Sequence, residues 1–155
     1  MNMIKKIHKA KVTGLNEGEQ VLAAVIKNDD GAIMKTAVSG GVGGLIGIFA
    51  GSKMQKKTDK KAEADQLVES EMTKKIPAGP GFFAVTDQRF LVYSHNSISG
   101  NAKELVAELP KGSVKIESVQ KGKLASRAIL SFSDGGRKAF DIPKMNDIEG
   151  FQTVL

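Results

Sequence analysis

Phe82-Phe-Ala-Val-Thr-Asp-Gln-Arg-Phe-Leu-Val-Tyr93 reads as two strands joined by a tight turn. Aromatic and β-branched residues fill 82–85 and 90–93, and the polar Thr86-Asp-Gln-Arg89 divides them. Such side chains suit a pleated, buried surface, and aspartate in a short polar break suits a turn. Toward the C-terminus the same grammar continues. Leu105, Ala107 and Leu109 alternate with Glu104, Val106 and Glu108, and Pro110-Lys-Gly112 ends that run. Val114, Ile116 and Ser118 alternate with Lys115 and Glu117. Ala128, Leu130 and Phe132 share a face, as do Lys138, Phe140 and Ile142, with the hairpin signal Asp134-Gly-Gly136 between them. After Pro143, Asn146 is placed to cap a last helix with Glu149 three residues on, and Ile148 and Phe151 would face the core.

Upstream, Gln20-Val-Leu-Ala-Ala-Val-Ile26 is one more buried strand, closed by Asn28-Asp-Asp-Gly31. Ala64, Val68 and Met72 recur every four residues in a segment rich in helix formers, so an amphipathic helix is expected over 53–75. Ile76-Pro-Ala-Gly-Pro-Gly81 stops it. At the N-terminus, Ile4, Ile7 and Leu15 fall at helical spacing among Lys5, Lys6 and Lys9, which predicts a basic amphipathic helix over 1–15. The expected organisation is that helix followed by a single domain over 16–155 with an insertion at 32–76. The expected class is mainly β with helices (α+β): seven antiparallel strands forming a small barrel or two packed sheets, capped by a C-terminal helix.

Composition agrees with one packed domain. The chain has 155 residues, 41% hydrophobic and 26% charged. It has no cysteine, which excludes disulfides, thiolate metal sites and a cysteine nucleophile. Residues 1–15 carry four lysines but neither the apolar core nor the cleavage site of a secretory signal, so a cytoplasmic protein is expected. The net charge of +6 gathers at the N-terminus and around 53–61, and 76–155 is nearly balanced. A nucleic-acid domain would concentrate basic charge on its folded part, so nucleic acid is not an expected partner.

The 82–93 stretch, the closing Phe140-Asp-Ile-Pro and Asn146-Asp-Ile-Glu-Gly-Phe151, and the order of elements resemble the bacterial pleckstrin-homology-like family, related in fold to GRAM domains. A Thr-Asp-x-Arg turn joins two early strands in that family, and a helix closes the barrel. The resemblance covers roughly 18–26 and 82–155, and gives Thr86, Asp87 and Arg89 a structural turn role. It implies a partly open barrel that binds or docks without catalysis. This chain departs from the minimal pattern by the long insertion between its first two strands. A pleckstrin-type phosphoinositide site gathers Lys and Arg in that loop, where this chain holds a glycine-rich stretch instead.

Six of the 17 glycines lie between Gly40 and Gly51. Gly43, Gly47 and Gly51 are spaced by four, with Gly40 and Gly44 beside them, so a helix would carry them along one stripe. Leu45, Ile46, Ile48 and Phe49 would lie opposite. Six glycines oppose helix formation by roughly 6 kcal/mol, so lipid, a partner helix or the domain itself must compensate. The uncharged run 36–52 would span about 26 Å as a helix, against a hydrocarbon core of about 30 Å. A re-entrant or interfacial element is therefore expected, with Lys53, Lys56, Lys57, Lys60 and Lys61 at the head groups and Lys5, Lys6 and Lys9 as further anionic-lipid contacts. The competing expectation is self-association or adaptor contact through the glycine stripe.

No other chemistry emerges. Gly47-Ile-Phe-Ala-Gly-Ser-Lys53 has one residue too few for a phosphate-binding loop and reverses its Ser-Lys order. His8 and His95 are far apart, Asp29-Asp30 lacks calcium-loop spacing, and no serine has a nucleophile-elbow setting. The expectation is a non-enzyme with no cofactor, no catalytic or metal residue and no small-molecule substrate. It would work at the inner face of a membrane, with anionic lipid and a protein partner or second copy as its ligands.

Overall fold

In the computed structural model, residues 2–10, 13–33 and 67–155 are described. Helix α1 (Met3–His8) precedes strand β1 (Val21–Asp29). A one-turn helix α2 (Glu71–Lys74) leads into six consecutive strands. These are β2 (Gly81–Thr86), β3 (Arg89–His95), β4 (Ala102–Pro110), β5 (Val114–Lys121), β6 (Ala125–Phe132) and β7 (Arg137–Pro143). Helix α3 (Ile148–Val154) closes the chain. The strands form one antiparallel sheet in the order β4-β3-β2-β1-β7-β6-β5.

The two halves of that sheet meet at a narrow seam. β1 pairs with β7 only at Asn28↔Asp141 and Asp29↔Phe140, whereas β1 and β2 pair from Val21 to Lys27. The inner faces of both halves share one core: Val25, Phe83, Val85, Phe90 and Leu109 from one, Val114, Leu130, Phe132, Phe140 and Ile142 from the other, with Ile148 and Phe151 of α3. Aromatic rings run through it. Phe83 lies 4.9 Å from Phe140 edge-on and 5.2 Å from Phe90, and Phe90 is 6.4 Å from Phe151. Such pairs each add about 1 kcal/mol beyond their buried area.

The outer face of the β1–β4 half has a second core. Met3 and Ile7 of α1 pack on Phe82, Ala84, Leu91, Tyr93 and Ala102. Thus every residue of β2 is buried, which is why 82–85 is continuously apolar rather than alternating.

Four expectations change. The N-terminal helix is shorter than 1–15: Lys9 is its C-cap, and Thr13 to Asn16 bind the sheet instead. The Tyr93 hydroxyl donates to the Thr13 carbonyl at 2.5 Å, and an Arg89 Nη2 donates to the Gly14 carbonyl at 2.6 Å. Gly14 has φ +62°, a conformation that disrupts a regular helix. Of the helix expected over 53–75, residues 53–66 lie outside the described residues, and Val68 is not helical: its backbone forms a bridge to Arg137 at 3.0 and 2.8 Å. Val68 thus pairs with β7 beyond the end of β1, and the Ser70–Thr73 capping box restarts the chain as α2. In β5 a register shift between Ile116 and Ser118 turns Ser118 outward and Val119 toward the core. Finally, Asp147, not Asn146, caps α3, accepting from the Gly150 amide at 2.8 Å. The buried Asn146 carboxamide accepts the Ile26 amide at 2.8 Å and donates to the Pro143 carbonyl at 2.9 Å, so it ties β1 to the end of β7.

Candidate functional site

The Thr86–Arg89 turn assembles around a residue that sequence spacing does not reveal. Thr86 accepts the amides of Gln88 and Arg89 at 3.0 and 2.9 Å and donates to the Glu19 carboxylate at 2.7 Å. The Arg89 guanidinium grips Glu19 with two bonds, of 2.9 and 2.8 Å, and also pairs with Glu108. Asp87 does not meet Arg89; its carboxylate accepts the Gln20 amide at 3.0 Å. The Arg89 contacts hold the Glu19 carboxyl down at about 2, against the opposing effect of burial. All three motif residues therefore fasten the β2–β3 turn to residues 19–20, just before β1. No buried side-chain oxygen or nitrogen among these residues lacks a hydrogen-bond partner.

The predicted lipid contacts divide. Lys5 and Lys9 are exposed on α1. Lys6 is half-buried, and its ammonium donates to the Gly100 carbonyl at 2.7 Å, which ties α1 to the β3–β4 loop. Gly40, Gly43, Gly44, Leu45, Ile46, Gly47, Phe49 and Gly51, and Lys53, Lys56, Lys57, Lys60 and Lys61, lie outside the described residues.

A surface that the sequence reading missed adjoins the place where the chain enters that segment. A depression of about 250 Å³ is lined by Gly31 and Ile33 on one side and by Lys123, Leu124 and Arg127 on the other. The Gly122 amide bonds to the Ala125 carbonyl at 3.0 Å, which makes 122–125 a tight turn with Lys123 and Leu124 at its tip. The Lys144 amide donates to the Leu124 carbonyl at 3.0 Å, so the β7–α3 loop lies alongside. Beyond it, Met145, Ile4 and Leu22 line a further depression of about 320 Å³ between α1, β1 and α3. The face thus runs from Ile33, over the β5–β6 turn, to α1. The available signal was an apolar residue in each of two polar turns.

Charge on this face is partly neutralised. Lys121 pairs with Glu149 at 2.7 Å, and Arg127 with Asp30 at 2.7 Å. Among the described residues, no group of three or more metal-ligating side chains is present and no helix is long and apolar enough to cross a membrane. In comparisons with protein-family models, curated proteins and solved structures, the chain matches none.

Proposed function

We propose that this chain is a non-catalytic, pleckstrin-homology-like docking module that associates with the inner face of an anionic membrane through residues 36–52 and the flanking lysines. The observation that carries this reading is the juxtaposition along the chain of 17 uncharged residues, including six glycines, with five lysines at 53–61. A glycine-rich apolar run is a poor helix in water and gains stability where lipid or a partner replaces water. The family part rests on the Thr86-Asp-x-Arg89 turn and on seven antiparallel strands followed by a helix. The exposed Lys123 and Leu124 beside Ile33 are consistent with a membrane on the side where the insertion begins.

The test is flotation of the full chain, and of a chain lacking 36–52, with anionic and neutral vesicles. The membrane reading predicts that the full chain floats with anionic vesicles and that the deletion abolishes flotation. A full chain that stays in the soluble fraction contradicts it. The second reading, a soluble self-assembling or adaptor protein, is favoured by the four-residue spacing of Gly43, Gly47 and Gly51. It predicts no flotation, and an oligomer by light scattering that the deletion converts to monomer.

A further inference from the structure

Two turns that pack side by side each present a lysine followed by an exposed apolar residue. Lys123–Leu124 is the tip of the β5–β6 turn, and Lys144–Met145 follows β7. The backbone bond from Lys144 to Leu124 holds them together. Leu124 is 54% exposed and Met145 63%, well above what either needs for the core. The nearby acids are already engaged. Glu149 holds Lys121, Asp30 holds Arg127, the buried Asp141 carboxylate accepts the Ile33 amide, and the exposed Asp147 carboxylate accepts the Gly150 amide, which leaves one acid against the two lysines at this surface. Lys123 and Lys144 form no ion pair among the described residues.

We infer that Lys123, Leu124, Lys144 and Met145 form a second membrane contact, in which the two apolar side chains enter the head-group region of an anionic bilayer and the two lysines bind its phosphates. The inference rests on the membrane reading above and adds to it a contact made by the folded domain. Charge complementarity selects the occupant. Two unpaired cations beside two apolar tips match a surface that is anionic outside and hydrocarbon beneath. Lys123 and Leu124 also line one depression together with Ile33. Each turn is short and anchored by backbone bonds, so little backbone freedom remains to be lost on binding.

The experiment compares vesicle binding of the full chain with that of two double variants, Lys123→Gln with Lys144→Gln and Leu124→Ser with Met145→Ser. The vesicles are phosphatidylcholine alone or phosphatidylcholine with phosphatidylglycerol. All four side chains are exposed, so thermal unfolding should match the parent and confirms folded variants. At about a factor of five per lysine, the glutamine pair should bind anionic vesicles roughly 30-fold more weakly. The serine pair should lose at least about tenfold. Parent flotation with unchanged binding in both variants overturns this inference and leaves the membrane reading standing. Loss in the glutamine pair alone overturns entry of Leu124 and Met145. A parent that ignores both vesicle types overturns the inference together with the membrane reading, and an acidic protein then becomes the occupant to seek.

Discussion

Glu19 and Lys27 are buried charges with opposite consequences for stability. Glu19 is fixed by two Arg89 nitrogens and the Thr86 hydroxyl, and its carboxyl is held at about 2 rather than 4.5. Its folded form prefers the ionised state, so its contribution is complete above pH 4.5 and disappears as pH falls through about 2. Glu19→Gln should lower stability by about 3 kcal/mol at pH 7, because Arg89 loses its buried charged partner and keeps only the exposed Glu108. Urea unfolding should show that deficit shrinking as the pH is lowered toward 2. Lys27 points from β1 toward the core and is only 1% exposed. Its ammonium donates to the Pro77 carbonyl and sits 5.6 Å from the centre of the Phe140 ring. Desolvation pulls it from 10.5 down to about 8, against the attraction of Asp29 and with a smaller contribution from Lys138. Between those values the unfolded chain holds a proton that the folded chain has released, so stability rises with pH from about 8 to 10.5. Lys27→Met should abolish that rise, as read by denaturant midpoints across the interval.

At the scale of elements, α3 and the β7–α3 loop separate two roles that one capping pattern had merged. Asp147 caps a short surface helix, and replacing it with alanine should cost about 1 kcal/mol. Asn146 satisfies the Ile26 amide inside the sheet seam, and its replacement leaves that group unpaired, at about 2 to 3 kcal/mol. Chemical unfolding of Asn146→Ala and Asp147→Ala side by side should therefore rank Asn146 first. The strands and tight turns were legible because their signals are local. Thr86-Asp-Gln-Arg89 and Asp134-Gly-Gly136 mark turns within a few residues of the strands they join, and Gly135 has the positive φ that such a turn needs. What was not legible depends on contacts distant in sequence. The Glu19–Arg89 pair spans 70 residues, the bulge in β5 depends on its fit to β6, and the early end of α1 depends on Tyr93 and Arg89 reaching residues 13 and 14. The continuous apolar run of β2 reflects burial on both faces, because α1 covers the outer face of the sheet. Of the candidate site, the turn motif was legible, but the Lys123–Met145 surface was not, because β5–β6 and β7–α3 become neighbours only in the folded chain.

For the whole molecule, the two sheet halves and α3 enclose one core, and α1 seals the outer face of β1–β4. Exposed lysines on the β5–β6 turn and after β7 border a face that begins where the chain enters 34–66. Under the proposed function that face would be turned toward a membrane, with residues 36–52 as the inserted element. The sequence supplies a clean probe, since it contains no tryptophan. In the single variant Phe49→Trp, the indole would report only from the glycine-rich segment, and an indole at a bilayer interface sits in an environment less polar than water. The most direct measurement is the emission of that variant in buffer, with phosphatidylcholine vesicles, and with phosphatidylcholine–phosphatidylglycerol vesicles. Membrane insertion of 36–52 predicts a shift to shorter wavelength with the anionic vesicles, and emission that is unchanged when they are added contradicts it.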